Sequence, residues 1–223
     1  MPVIKVEDIA HVRFAAPDLS VMRGFLEDFG LACFEEGGRL YGKASDGRPF
    51  VHVTEPGEAR FLAVGLRAAS IADLERLATH EGVAPEPLDE PGGGMVVRLT
   101  DPEGYLVEVV AGQECQTPIP SDHHTIFLAQ LPGKPGLLHA AFEVESLDDL
   151  MLGHEHLKSR QREAAWGVGR HIMGSQIFDY WKDPFGNELE HWTDGDLFTA
   201  ADPPQKQTMQ ALLAVQWGSP HPM

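Results

Sequence analysis

The sequence predicts an α+β fold built from repeated βαβββ units. Two observations carry this prediction. A Ser-x-x-Asp helix start occurs at residues 70–73 and again at residues 146–149. Each start is followed further along by an Asp-Pro-x-Gly turn, at residues 101–104 and 183–186, and then by a short strand that contains a carboxylate. A pattern repeated over this length indicates a duplicated structural unit.

The first unit opens with a strand at residues 9–14 and turns into a helix at Asp18. Apolar side chains then recur at helical spacing up to Gly30, which ends the helix. These side chains are Leu19, Met22, Phe25, Leu26 and Phe29. Two short strands at residues 39–41 and 50–53, on either side of a turn, complete the unit.

The second and third units repeat this order. In each, a serine and an aspartate three residues later form the capping box that starts a helix, and the helix of the third unit continues to about Ser159. The predicted strands of the second unit are residues 61–66, 95–99 and 105–110, and those of the third unit are residues 139–144, 177–181 and 187–192. The chain therefore holds three such units, and each has an apolar sheet face that it cannot cover alone.

The stretch between the second and third units has room for only one strand, at residues 124–129. The expected organisation is a domain of two paired units at residues 1–112, a linker with this remnant strand at 113–136, the third unit at 137–198, and a proline-containing tail at 199–223. We expect the tail to wrap over the surface or over a neighbouring subunit.

Composition excludes several classes of partner. The chain has 34 acidic and 17 basic residues and a formal net charge of −17, which argues against nucleic acid and anionic membranes. Cys33 and Cys115 have no disulfide or metal-ligand spacing. No apolar run approaches the roughly 18 residues of a spanning helix, and the N-terminus lacks the apolar core of a signal peptide. We therefore expect a reduced, cytoplasmic protein.

The third unit carries residues suited to a metal site. His139 opens its first strand and Glu190 lies near the end of its last strand. Strand alternation puts Glu188 and Glu190 on one face and His191 on the other, so His191 is not expected to join Glu190. A mononuclear iron site that activates oxygen needs two imidazoles and one carboxylate, with positions left open.

Several stretches of the second half resemble the catalytic module of the type I extradiol catechol dioxygenases, within the vicinal oxygen chelate superfamily. The stretches are residues 122–126, 139–144, 169–171, 178–180 and 183–186, together with Glu190. The first 112 residues resemble the metal-free N-terminal domain of the same enzymes. The resemblance implies the glyoxalase, bleomycin-resistance and dioxygenase type of fold. It also implies Fe(II)-dependent ring cleavage of a catechol-like aromatic, with Mn(II) as the alternative metal.

Residue roles follow from the same resemblance. It implies that His139 and Glu190 are metal ligands and that His124 is the acid–base residue beside the substrate and oxygen. His171 and Tyr180 would hydrogen-bond the diol or the ring-cleaved product. The implied partners are a small aromatic diol and O₂.

The ligand set departs from this pattern, because residues 113–122 contain no histidine where the first ligand would lie. The third protein ligand is therefore not identified. Three interpretations remain: His11 completes the set, two third units from different subunits pair as in glyoxalase-type proteins, or the site has lost its activity. The alternative functions are accordingly a subunit-bridging metal lyase or isomerase, or a non-catalytic protein that binds an aromatic ligand. We expect a homo-oligomer, because an unpaired third sheet would expose an apolar face.

The remaining histidines and tryptophans have structural interpretations. We expect His11, His52 and His80 to be structural or solvated, and His154 and His156 to lie on the surface of a polar helix. The larger rings, Trp166, Trp181 and Trp192, are expected in the core or in the wall of a pocket.

Overall fold

The computed structural model describes residues 2–114, 136–197 and 208–222. The α+β fold predicted from the sequence is confirmed, since four helices accompany two sheets in these residues. The chain divides into an N-terminal unit, described over residues 2–114 and Gly136, and a C-terminal unit, described over residues 137–197 and 208–222. No helix in the described ranges has the length and apolarity needed to cross a bilayer.

The N-terminal unit consists of two βαβββ repeats that share one sheet. Its elements are β1 (Val6–Ala16), α1 (Leu19–Asp28), β2 (Ala32–Glu36), β3 (Arg39–Lys43), β4 (His52–Pro56), β5 (Arg60–Ala68), α2 (Ile71–Glu81), β6 (Glu86–Pro87), β7 (Met95–Thr100) and β8 (Leu106–Ala111). The strand order is β2-β3-β4-β1-β5-β8-β7-β6. The first strands of the two repeats, β1 and β5, pair antiparallel at the centre. Each lies parallel to the last strand of its own repeat.

The C-terminal unit is a single repeat with an added strand. Its elements are β9 (His139–Glu143), α3 (Leu147–Ser159), β10 (Glu163–His171), β11 (Ile177–Lys182), β12 (Glu188–Thr193), α4 (Met209–Leu212) and β13 (Val215–Gly218). The strand order is β13-β10-β11-β12-β9. Again the first strand, β9, lies parallel to the last, β12. Strands β2, β6, β10 and β13 were not predicted, and the strand predicted at 124–129 lies outside the described residues.

Local side-chain bonds start the helices at the predicted positions. The Asp18 carboxylate accepts from the amides of Ser20 and Val21 at 2.9 and 3.0 Å, and α1 begins at the next residue after Asp18. Ser70 and Ser146 each accept from the amide three residues later, at 3.1 and 3.2 Å. These bonds satisfy amides that the first helical turn leaves unpaired.

The helices cover one face of each sheet. In the N-terminal unit, the apolar face of α1 is buried through Met22, Phe25 and Leu26. In the C-terminal unit, Leu150 and Leu157 of α3 are fully buried. The opposite face of each sheet is therefore the one on which polar groups can be placed for function.

His52 is a buried histidine on β4. Its ring stacks on Phe14 with 5.1 Å between centroids, and its Nδ1 lies 3.5 Å from the Thr54 hydroxyl. Nε2 is buried and has no hydrogen bond within the described part of the chain. Burial, and secondarily the nearby His11, lowers the pKa of His52 from 6.5 to about 3. The folded state therefore requires the neutral imidazole.

This requirement predicts acid-sensitive stability. A group whose pKa is lowered by folding contributes stability above its unfolded pKa of 6.5, and that stability is lost as the pH falls towards 3. Between pH 7 and pH 5, protonation of His52 in the unfolded state should lower the free energy of unfolding by about 2 kcal/mol. Urea unfolding at both pH values should show this loss in the wild type and a smaller loss in His52→Leu. The control His80→Gln, which removes an exposed histidine, should keep the wild-type difference, and equal losses in all three proteins would contradict the assignment.

Candidate functional site

Strands β9, β11 and β12 bring three of the predicted site residues to one face of the C-terminal sheet. Tyr180 pairs in register with Glu190, and His139 pairs with Glu188. The Nε2 atom of His139 lies 3.2 Å from Oε2 of Glu190. An imidazole and a carboxylate from the two ends of the repeat therefore converge, because the first and last strands are neighbours.

His171 and Tyr180 form a second pair beside this one. The His171 Nε2 atom lies 3.2 Å from the Tyr180 hydroxyl oxygen, and Tyr180 also hydrogen-bonds Glu190. Glu190 as a carboxylate can only accept, so the phenol donates to it and His171 donates its Nε2–H to the phenol oxygen. The four side chains thus form one chain of hydrogen bonds from His171 to His139.

Burial and charge shift the pKa values of the side chains in this series of hydrogen bonds. The side chain of Glu190 is 6% exposed and that of His139 is 30% exposed. Burial by itself lowers the pKa of His139, but the hydrogen bond and charge of Glu190 outweigh it, so the pKa is raised. Burial, followed by the charge of Glu190, raises the pKa of Tyr180, which therefore remains a phenol. The site holds its protons more tightly than isolated side chains would.

An aromatic cluster continues the face beyond Tyr180. The Trp166 ring lies 4.3 Å from Phe178, 5.4 Å from Tyr180 and 5.4 Å from His171, centroid to centroid. Trp166 was expected in the core or in the wall of a pocket, and its ring packs here against three other rings. Sequence reasoning missed His221, whose ring lies 4.6 Å from Trp166. The only signal for it was its position between two prolines in the tail.

The helix-covered face holds a separate polar cluster. His191 lies against α3 at Gly153, on the face opposite Glu190. The surface position expected for His154 is wrong: its Nδ1 lies 3.2 Å from the buried Asp179, which also accepts from the Trp181 indole at 2.6 Å. Burial raises the pKa of Asp179. An i, i+4 helix pattern could not reveal this contact, because Asp179 lies on a distant strand.

In the N-terminal unit the corresponding positions are closed. His11 Nε2 lies 2.8 Å from Oε2 of Glu108, and His11 is only 1% exposed. The ring reaches Glu108 across Gly65, where a Cβ would lie 2.3 Å from it. His11 is thus committed to a carboxylate of its own unit. Completion of the ligand set of His139 and Glu190 by His11 would require this contact with Glu108 to break.

Arg13 supplies a positive charge at the centre of this closed face. Its guanidinium lies 2.8 Å from Glu55, 2.8 Å from Glu90 and 2.9 Å from Glu108. Burial alone would lower the pKa of Arg13. The nearby carboxylates outweigh this effect, so the pKa of Arg13 is raised. Burial raises the pKa of Glu108, but His11 and Arg13 outweigh it and lower that pKa to about 2. Arg39 and Arg98 also contact these carboxylates, at 3.4 Å from Glu55 and 2.9 Å from Glu108, so the charges of the cluster are compensated by its own arginines.

The described residues provide two metal-type ligands at the open face. They contain no group of three or more His, Cys, Asp or Glu side chains arranged to hold a metal. His124, predicted as the acid–base residue, lies outside the described residues. The open face therefore combines an imidazole–carboxylate pair, a phenol–imidazole pair and an aromatic wall.

Solved structures share this architecture. The Mn(II)-bound glyoxalase from Novosphingobium aromaticivorans superposes with a TM-score of 0.85 and 24% identity, over 98% of this chain and 93% of that chain. The 2,3-dioxygenase LapB from Pseudomonas sp. KL28 gives a TM-score of 0.79 and 17% identity, over 92% and 98%. A catechol 2,3-dioxygenase gives a TM-score of 0.73 and 16% identity, over 88% of this chain and 90% of that chain. The predicted glyoxalase and dioxygenase type of fold is thereby confirmed.

Sequence comparison gives a shorter match. Metapyrocatechase 2 of Cupriavidus necator is 34% identical over 83 residues, which are 37% of this chain and 26% of that protein. The matched segment thus spans about a quarter of that relative. No family model matches the chain.

The His139–Glu190 contact predicts a measurable protonation change. Glu190→Gln removes the charge that raises the pKa of His139 and leaves burial, which lowers it, so that pKa should fall below 6.5. NMR titration of the histidine side chains measures it. Glu188→Gln is the matched control and should lower the pKa less, since Glu188 acts only by charge. Equal decreases in the two variants would show that the contact is not the cause.

The Arg13 cluster predicts a large loss of stability on neutralisation. Arg13→Met leaves Glu108 with the guanidinium of Arg98 alone, and Glu55 and Glu90 with only the longer contacts to Arg39, and should cost about 3–5 kcal/mol in urea unfolding. Adding Glu108→Gln should recover part of this loss. Arg39→Met is the control, because Arg39 is 36% exposed and 3.4 Å from Glu55, and should cost about 1 kcal/mol or less. Similar costs for both arginines would refute the central role of Arg13.

Proposed function

We propose that this protein is a metal-dependent extradiol dioxygenase, which cleaves the ring of a catechol-like aromatic with O₂. The observation that carries the proposal is the convergence of His139 and Glu190, 3.2 Å apart, beside the His171–Tyr180 pair on one open face. The similarity to dioxygenases in fold, and to metapyrocatechase 2 over 83 residues, supports it. The free Cys33 fits the proposed cytoplasmic location.

His139 and Glu190 fit the metal as two of its ligands. One imidazole and one carboxylate are part of the ligand set that mononuclear Fe(II) oxygenases use, and Mn(II) accepts the same donors. When bound, the metal would acidify the hydroxyls of the diol and bring them beside O₂. His139 Nε2 and the Glu190 carboxylate already lie 3.2 Å apart, and a metal bound between them would displace the proton that they share.

The chain's own residues would bind and orient the substrate. The Tyr180 O–H, which donates to Glu190, and the His171 Nε2–H, which donates to Tyr180, would turn to a diol oxygen when the substrate binds. The partly exposed Trp166 ring, which packs on the fully buried Phe178, offers flat apolar surface on which an aromatic ring can pack. His124 is proposed as the group that moves protons between substrate and oxygen.

We propose that a second copy of the chain supplies the missing ligand. In the N-terminal unit the first strands β1 and β5 pair antiparallel, whereas β9 has a strand on one side only among the described elements. Antiparallel pairing of two β9 strands would follow the same pattern and bring two His139–Glu190 pairs together. The homo-oligomer should then bind one metal ion per two chains. Sedimentation with metal analysis measures this ratio, and a monomer with one ion per chain would exclude the arrangement.

Oxygen uptake tests the function directly. The protein is loaded with Fe(II) without air, and O₂ consumption and ring-cleaved product are followed after catechols are added. His139→Ala and Glu190→Gln should lose both metal and turnover, while Glu188→Gln should retain both. A metal-loaded wild type that consumes no O₂ with any catechol would overturn the proposal. Stoichiometric binding of the aromatic without turnover would instead support the non-catalytic binding protein.

Tyr180 separates metal binding from catalysis. Tyr180→Phe removes one hydrogen-bond donor and preserves the ring, so metal content should be unchanged while kcat falls at least about tenfold. Steady-state oxygen consumption together with metal analysis measures both. Loss of metal in this variant would mean that Tyr180 acts only by holding Glu190.

A glyoxalase-type isomerase is the second candidate. The TM-score of 0.85 with the Mn(II)-bound glyoxalase favours it, and a subunit-bridging site with two histidines and two glutamates would suit it. Conversion of a glutathione hemithioacetal by the Mn(II)-loaded protein, without O₂ uptake, would favour this candidate over the dioxygenase.

A further inference from the structure

The C-terminal segment is attached to the sheet by a close backbone contact. Strand β13 pairs antiparallel with β10, and Gly218 lies opposite Gly169. A Cβ on Gly218 would lie 2.6 Å from the Gly169 Cα, and a Cβ on Gly169 would lie 2.5 Å from the Phe178 ring. Only glycine at both positions permits this approach. The segment is therefore seated directly beside the aromatic cluster.

The residues after β13 turn a single side chain inwards. The Trp166 indole donates to the Ser219 carbonyl at 2.8 Å and holds the backbone there. Pro220 and Pro222 then restrict the backbone on either side of His221. Every residue from 216 to 222 is exposed except His221, which is half-buried. The local chain thus presents one imidazole to the sheet face.

His221 is placed next to the candidate site and has unused bonding capacity. Its ring meets Trp166 edge to face at 4.6 Å, and Trp166 stacks on Tyr180 at 5.4 Å. Its Nδ1 atom is buried and has no hydrogen-bond partner within the described residues. A buried ring nitrogen without a partner costs free energy, which a ligand with a suitable group would recover.

We propose that His221 is a specificity-determining residue that binds a carboxylate substituent on the aromatic substrate. The proposal rests on the proposed function for the identity of the reacting diol. His171 and Tyr180 would take the diol end, and the ring would lie along Trp166, so that a substituent on its far side reaches His221. A carboxylate accepts a strong hydrogen bond from an imidazole, and more strongly if the imidazole is protonated. A methyl group in the same place would gain nothing from it.

Equilibrium binding without oxygen tests this independently of turnover. Two ligands are compared, 3,4-dihydroxybenzoate and 4-methylcatechol, which share the diol and differ in one substituent. Calorimetric titration under nitrogen should show that His221→Phe, which keeps an aromatic ring against Trp166, weakens the benzoate at least about tenfold. The affinity for 4-methylcatechol should stay within about twofold. His221→Gln, which retains a side-chain donor, should recover part of the benzoate affinity, and the control Ser219→Ala should match the wild type for both ligands.

Several results would overturn the proposal. Equal losses for the two ligands would show that His221 only supports the segment, and no loss would show that it does not reach the ligand. Failure of the wild type to bind 3,4-dihydroxybenzoate would also refute it. If His221→Phe lowers the thermal midpoint strongly, His221→Gln decides by the same comparison. The binding comparison measures no turnover. Absence of O₂ uptake would therefore refute the dioxygenase proposal without changing the binding result for His221.

Discussion

The candidate site depends on one constraint, the parallel pairing of the first and last strands within each repeat. Residues that are far apart in the chain become neighbours across this pair, and in the C-terminal unit they are His139 and Glu190 at 3.2 Å. Strand alternation then selects which side chains share the open face, so Tyr180 joins them and His191 does not. The chemistry of the face is therefore a consequence of strand order together with the identity of a few side chains.

The two units show two uses of the same sheet. In the N-terminal unit a histidine and a glutamate from different repeats meet across β5, and the guanidinium groups of Arg13 and Arg98 both lie 2.9 Å from that glutamate. Removing charges from water is costly unless they are compensated, and this cluster compensates itself. In the C-terminal unit, Glu190 has a histidine and a phenol as partners, and no arginine contributes to the contacts described there. In the N-terminal unit, arginine side chains of the protein contact the carboxylates. In the C-terminal unit, His139 and Glu190 could instead bind a cation from solution.

The aromatic wall extends the open face towards the end of the chain. Trp166 links Tyr180 on one side to His221 on the other, and its indole holds the Ser219 carbonyl. Recognition of a ring by stacking is tolerant of substituents, whereas a single directed hydrogen bond discriminates among them. In the proposed function, His171 and Tyr180 would therefore bind the diol, and His221 of the C-terminal segment would discriminate among substituents.

Local sequence patterns were sufficient to predict the features that depend on residues close together in the chain. Helices capped by Ser70 and Ser146, and the opposite faces of Glu190 and His191, follow from bonds and alternation within a few residues. The convergence of His139 and Glu190 could be anticipated only through a resemblance. The tertiary structure decided the rest. Glycines lower the strand propensity of β10, which hid it from prediction. Gly169 of this strand is nevertheless what allows β13 to pair closely with it. Three contacts join residues more than 20 positions apart: His11 with Glu108, His154 with Asp179, and His221 with Trp166. Such contacts are set by the packing of whole elements, which no local pattern encodes.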